Sequence, residues 1–193
     1  TIAIGLGIIT GLISCAILFK TPEPEAFSSK EEQSLWDVTK EALVQPEFRA
    51  FIFTFMLLSF LSGMGRAFLP VYAKEVFAQG DDAIMVYSIV ASLGSITMGL
   101  ITRLVVDRLG SKPLFIIYSA IGFVSFLPIA LIPDSATLMG APSVIALFLS
   151  IVHFLSSFGF AGEENAAQVY YFGLVPKEKM LDLAVIYNLA YGI

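Results

Sequence analysis

Long apolar runs separated by short polar segments form the main pattern of this chain. The runs cover residues 1–19, 51–72, 84–106, 114–132 and 143–162, the last with a less apolar extension to 175, and another begins near Leu181. An apolar run of about 20 residues spans the hydrocarbon core of a bilayer. No strand-like alternation competes with this pattern, and an open sheet cannot span lipid. The pattern therefore predicts an all-α polytopic membrane protein.

Composition agrees with this prediction and limits the partners. The chain is 57% hydrophobic and 14% charged, whereas a soluble domain carries about 25% charged residues. Its net charge of −5 comes mostly from one polar segment, and no basic patch favours nucleic acid as a partner. A single cysteine, Cys15, excludes an intrachain disulfide. Because both ends of the chain lie inside apolar runs, we expect it to be an internal piece of a longer membrane protein.

The polar, acidic segment 20–48 separates the first two runs. Its prolines at 22 and 24 exclude regular structure at the start. Residues 34–37 match a helix capping box, and Pro46 ends the helix that this box begins. The pattern predicts a short amphipathic helix whose shared face carries Leu35, Val38 and Ala42. Both a helix lying on the membrane surface and an ordinary linker helix fit this pattern.

The positive charges predict the orientation of the spans. One alternate set of connections holds Lys20, Lys30, Lys40, Arg49, Arg103, Arg108, Lys112, Lys177 and Lys179. The other set holds only Lys74. Because loops rich in Lys and Arg remain in the cytoplasm, we expect segments 20–48, 103–113 and 176–179 to be cytoplasmic in a multi-pass protein of the cell membrane.

The most distinctive connection is the segment 103–113, here called the hinge. Gly110 can end a helix in a left-handed conformation, and Pro113 can begin the next one. Asp107 can pair with a cation or face the N-terminus of a neighbouring helix. Such contacts would hold one conformation of a moving bundle, a role that we call a conformational latch. Arg108 and Lys112 can bind anionic lipid headgroups, or serve only as positive-inside anchors.

The sequence Asp107-Arg108-Leu109-Gly110-Ser111-Lys112 resembles the signature Gly-x-x-x-Asp-(Arg/Lys)-x-Gly-(Arg/Lys)-(Arg/Lys) of the major facilitator superfamily. In that family the signature joins helices two and three, and a weaker copy joins helices eight and nine. This chain departs from it at the first glycine, which is Arg103, and at one basic position, which is Ser111. Its place after a long polar loop and two spans fits the weaker copy, and segment 174–179 resembles the turn after helix ten.

The resemblance covers essentially the whole chain and implies part of a twelve-helix fold. The chain would run from helix six into helix eleven. Residues 1–19 would end the N-terminal half, residues 20–48 would link the halves, and residues 49–193 would form a truncated C-terminal bundle. The missing N-terminal half would then be its partner, and substrate would bind between the halves, which rock about it.

Ionisable groups inside the spans are costly and are therefore functional candidates. Arg66 lies in the outer part of its run, between Gly65 and Pro70. It can bind an anionic group of a substrate or a carboxylate of the protein, and snorkelling to the outer interface is the alternative. In the third and fourth spans, small residues predict close helix packing: Ser88, Ser92, Ser95, Gly99, Ser119, Gly122 and Ser125.

The fifth span carries a polar stripe that falls within roughly 60° of one line on a helix, made of Ser150, His153, Ser157, Glu164 and Gln168. Its His153 and Glu164 would lie roughly 16 Å apart along the axis. The stripe can line a water-filled pathway, and such a pair can exchange protons. His153 can equally be a hydrogen-bonded packing residue, and Glu164 can mark the cytoplasmic end of the span. Glu163 points elsewhere and can face a neighbouring helix.

The leading functional hypothesis is a secondary active or facilitative transporter of a small solute. The sequence has no Gly-rich phosphate loop, metal-ligand spacing or nucleophile–base pair, so we expect no cofactor, no metal and no enzymatic activity. Coupling to H⁺ or Na⁺ is open, as is the substrate, and membrane lipids are expected partners. The alternatives are an integral membrane enzyme that uses Glu163, Glu164 and His153, or a transporter-like receptor that does not transport.

Overall fold

The computed structural model describes residues 35–131 and 141–192, and within them all regular structure is helical. We number the helices in chain order: α1 Leu35–Val44, α2 Pro46–Glu75, α3 Asp81–Leu109, α4 Ser111–Val124, α5 Leu127–Leu131, α6 Pro142–Leu174 and α7 Met180–Tyr191. A 3-10 turn, Lys177–Lys179, precedes α7. The predicted span 1–19, the start of the polar segment and the end of the fourth predicted span lie outside the described residues.

Four of these helical segments are long and apolar enough to cross a membrane: Pro46–Glu75, Asp81–Thr102, Ser111–Leu131 and Pro142–Leu174. This confirms the all-α polytopic fold for the described part. The apolar extension of the fifth predicted span is helical, since α6 continues without interruption to Leu174. Pro46 is expected from the sequence only to stop a helix, but it also begins α2. Proline is tolerated at a first helical position because the N–H of that residue makes no hydrogen bond within the helix.

The fourth predicted span is not continuous, because it breaks between α4 and α5. Pro128 explains the break: it has no N–H to offer the carbonyl of Val124, and its ring clashes with that carbonyl. The turn is held by the Ser125 hydroxyl, which donates to the Gly122 carbonyl at 2.6 Å. Residues 103–109 are the last turns of α3, as expected for a helix that Gly110 ends, and only Gly110 separates α3 from α4.

Helix α6 is the centre of the bundle and packs most extensively against α3 and α4. Glycines make these contacts close. A Cβ at Gly159 would overlap the backbone of Gly122 on α4, and one at Gly94 on α3 would overlap the Phe154 carbonyl. Ser119, Gly122 and Ser125 are buried as the small-residue pattern predicts. Ser88 and Ser92 are instead exposed and donate to carbonyls of their own helix.

Candidate functional site

Arg66 on α2 and Glu164 on α6 form an ion pair between two of the long apolar helices. The Arg66 Nη2 donates to the Glu164 Oε1 at 3.0 Å, and the two side chains are 44% and 35% exposed. Each residue lies well inside its helix, since Arg66 precedes the end of α2 by about 14 Å and Glu164 precedes the end of α6 by about 15 Å. The pair therefore lies at a depth where unpaired charges are costly.

Aromatic rings surround this ion pair. The guanidinium carbon of Arg66 lies 5.0 Å from the centre of the Phe160 ring, within the range of a cation–π interaction. Tyr187 and Tyr191 of α7 lie close enough to experience the charge of Glu164. The site thus combines one cation and one anion with apolar ring faces.

The local sequence of α2 shapes the backbone beside Arg66. Gly65 leaves room for the Phe126 ring, since a Cβ there would lie 2.9 Å from the tip of that ring. Pro70 is inside the helix and supplies no N–H, so the Arg66 carbonyl lacks its usual helical donor. Further along α2, the Tyr72 hydroxyl donates to the Ile129 carbonyl at 3.1 Å and ties α2 to α5.

Glu163 is buried beside the ion pair, with only 3% of its surface exposed. Its Oε2 has no hydrogen-bond partner in the described part of the chain. Arg66, Glu164 and the Ser119 side chain all lie close enough to act on this carboxyl. The sequence pattern predicted that Glu163 faces a neighbouring helix, but not that it lies close to the cation that pairs with Glu164.

His153 belongs to a different contact. Its ring stacks on Tyr87 of α3 with centroids 5.1 Å apart, and its Nδ1 lies 2.8 Å from the Leu149 carbonyl. The Tyr87 hydroxyl donates to the Gln79 Oε1 at 2.8 Å. Only 5% of His153 is exposed, and its stack on Tyr87 fastens α6 to α3.

The remaining residues of the polar stripe are divided between other surfaces. The Ser157 carbonyl accepts a 3.5 Å hydrogen bond from the Ser95 hydroxyl, while Ser150 is half-buried. Gln168 is exposed and lines an open cleft of about 320 Å³ together with Gly99, Thr102, Val106, Asp107, Asn165 and Val169. The structure therefore does not gather the stripe into one channel within the described residues.

The hinge residues lie at the far end of α3. Asp107 and Arg108 are exposed in its last turn, and Asp107 makes no ion pair within residues 35–131 and 141–192. Gly110 has φ 80 and ψ 160. The positive φ is as expected, but this ψ lies outside the left-handed helical region, in a region that is almost restricted to glycine. Lys112 lines a separate cleft beside Glu47 and Tyr170.

Four apolar helical segments that can cross a membrane, with an ion pair between two of them, define a polytopic α-helical membrane protein with a charged site inside the bundle. A family model described as Major Facilitator Superfamily matches residues 1–193. The chain therefore belongs to the major facilitator superfamily, a family of membrane transporters and not of enzymes. Neither the curated proteins nor the solved structures yield a match to it.

Proposed function

We propose that this chain is part of a secondary transporter that carries a small solute across the cell membrane by alternating access. The observation that carries the proposal is the half-exposed ion pair between Arg66 and Glu164. Charged groups inside a membrane bundle are retained where they serve a pathway. An ion pair that joins two helices can open and close as those helices move, and either partner can bind a solute instead.

The proposal is tested by measuring the uptake of radiolabelled sugars, organic acids, amines and drugs into proteoliposomes that contain the full-length protein. Arg66→Ala and Glu164→Gln should each lower uptake of the transported solute by about tenfold to a hundredfold, the effect of losing one charge-assisted hydrogen bond. Lys74→Ala is the matched control, because it removes the ion pair of Lys74 with Asp81, away from the site. Normal uptake by both site variants would refute the assignment.

The hinge supports a second part of the proposal, the conformational latch. Asp107 is an anion at the C-terminal end of α3, where the helix dipole disfavours negative charge. A cationic group or a helix N-terminus of the N-terminal half would compensate this cost in one conformation. We place the hinge and the turn at 176–179 on the cytoplasmic side, where Arg108 and Lys112 also meet anionic lipids.

Two other functions are separated from this one by the same assay. A transporter-like receptor would bind a solute without moving it. A membrane enzyme would need Glu163, Glu164 and His153 to act together, whereas His153 contacts Tyr87 on α3 and Glu164 contacts Arg66 on α2. Binding without uptake would favour the receptor.

A further inference from the structure

The carboxyl of Glu163 is a buried group whose position packing does not explain. Only 3% of the Glu163 surface is exposed, and the Glu163 Oε2 lacks a hydrogen-bond partner in the described part of the chain. The neighbouring Ser119 hydroxyl donates to the Phe115 carbonyl at 2.8 Å and also lies close enough to act on the Glu163 carboxyl, yet the Glu163 Oε2 still lacks a partner among the described residues. A buried carboxylate oxygen without a partner is costly, so this oxygen is a candidate binding position for a further ligand.

The groups around Glu163 come from several helices. Helix α2 contributes Arg66, and α6 itself contributes Glu164. Helix α7 contributes Tyr187, and α4 contributes Tyr118, whose ring lies against Gly162. Among its described side chains, α3 adds no charged group to this set. One cation therefore faces two carboxyls, and the set carries a net charge of −1 when all three groups are ionised.

We propose that Glu163 is the proton-binding site of this carrier and that its proton makes Arg66 available to an organic carboxylate. This inference rests on the proposed transport function and adds a coupling ion and a substrate class to it. A proton taken from the aqueous phase by the Glu163 carboxylate changes the charge of the set from −1 to zero. The carboxylate of the ligand then replaces Glu164 on the guanidinium.

A proton fits this position better than a sodium ion does. A hard metal cation requires several oxygen ligands. Ser119 and Glu164 bring side-chain oxygens close to Glu163, but Glu164 is already paired with Arg66. Within the described residues, no group of three or more His, Cys, Asp or Glu is placed to hold a metal ion. A proton needs only the carboxylate oxygen itself.

The geometry of Arg66 indicates a carboxylate ligand. A guanidinium presents several N–H donors in a fork that matches a carboxylate, and Arg66 uses one contact, Nη2 to Oε1, to hold Glu164. Its side chain is 44% exposed, so the rest of the fork is accessible. A phosphate dianion would need more than this single cation. Since Phe160, Tyr187 and Tyr191 border the site, the body of the ligand should be apolar or aromatic.

Proton binding and anion binding are then linked. An anion approaching a set with a net charge of −1 is repelled, and the proton on Glu163 removes that repulsion. By reciprocity, the bound anion must strengthen proton binding by the same factor, typically about 5- to 150-fold for coupled sites. Movement of both ligands together would make the carrier a symporter of protons and carboxylates.

Infrared difference spectroscopy between acid and alkaline buffer tests the proton site on the full-length protein in lipid nanodiscs, without a substrate. The wild type should show a carbonyl band of a protonated buried carboxyl. Glu163→Gln should lose this band, and Glu75→Gln, which changes an exposed carboxyl of α2, should keep it. If the Glu163→Gln spectrum retains the band, Glu163 does not bind the proton and the inference is wrong, whatever the uptake assay shows.

Thermal unfolding of the same samples tests the carboxylate with a panel of aromatic and aliphatic monocarboxylates, each paired with its primary amide. At least one acid, but not its amide, should raise the melting temperature of the wild type. The affinity for this acid, obtained from the shift at several concentrations, should be at least about fivefold greater at low pH than at high pH. In Glu163→Gln, a neutral mimic of the protonated acid, the shift should no longer depend on pH, and Arg66→Ala should abolish it. If no acid stabilises the protein, or the shift is equal at both pH values, the inference is overturned. A solute carried in the uptake assay would still support the transport proposal.

Discussion

Gly159 on α6 meets Gly122 on α4 so closely that a Cβ built at Gly159 would lie 2.6 Å from the Cα of Gly122. Backbone atoms on both sides of this contact cannot move aside as a flexible side chain can. The same face of α6 continues with Gly162, which lies against the Tyr118 ring. This glycine contact places Glu163 against α4, where Ser119 lies beside it.

Gly159→Ala should therefore destabilise the full-length protein. The added methyl group would force α4 and α6 apart, at a cost of about 1–3 kcal/mol for overpacking. Gly173→Ala is the control on the same helix, because nothing lies within 4 Å of a Cβ at that position. Thermal unfolding in detergent measures both variants, and equal melting temperatures for the two would contradict the close contact.

Gly110→Ala should also destabilise the protein, but through the backbone. Gly110 has φ 80 and ψ 160, a conformation that costs a residue with a side chain about 1–3 kcal/mol. Gly80→Ala provides the comparison, since Gly80 precedes α3 with φ −71 and has open space around it. The difference in melting temperature between these two variants measures the strain, and no difference would show that the turn adapts.

Asp107→Asn separates a latch from a simple surface charge. Without a partner, removal of this anion from the C-terminal end of α3 should stabilise the protein by about 0.3–1 kcal/mol. With a partner in the N-terminal half, the same change should lower the melting temperature and alter the rate of uptake. We expect the second outcome. Glu75→Gln, an exposed anion at the C-terminal end of α2, controls for loss of a charge at a helix end.

His153→Phe tests whether the imidazole serves the pathway or the packing. Phenylalanine preserves the stack on Tyr87 and most of the volume, so we expect this variant to fold and to retain uptake. His153→Ala leaves a cavity and should lower the free energy of unfolding by about 3 kcal/mol. Loss of uptake in a normally folded His153→Phe variant would instead favour the proton-exchange hypothesis for the polar stripe.

The residues of the polar stripe share one line on α6 but face different neighbours. His153 and Glu164 do share one line on α6, as periodicity predicts, yet α3 covers the first through Tyr87 and α2 covers the second through Arg66. The third span shows a related error: Ser88 and Ser92 are exposed, while Gly94, next to the predicted Ser95, makes the close contact with Phe154. A shift of one residue turns a helix by about 100°, which changes the neighbour.

The sequence by itself determined that the chain crosses a membrane, which apolar segments do so, and that Arg66 and Glu164 are exceptional, because run length and charge cost depend only on local composition. Tertiary structure alone decided that these two residues, 98 positions apart, form a pair, and that Glu163 is buried beside them without a partner for its Oε2 among the described residues. The physical reason is that the choice of facing surfaces depends on how helices fit together. Contacts such as Gly122 with Gly159 set that fit, and a single helix does not encode its partner.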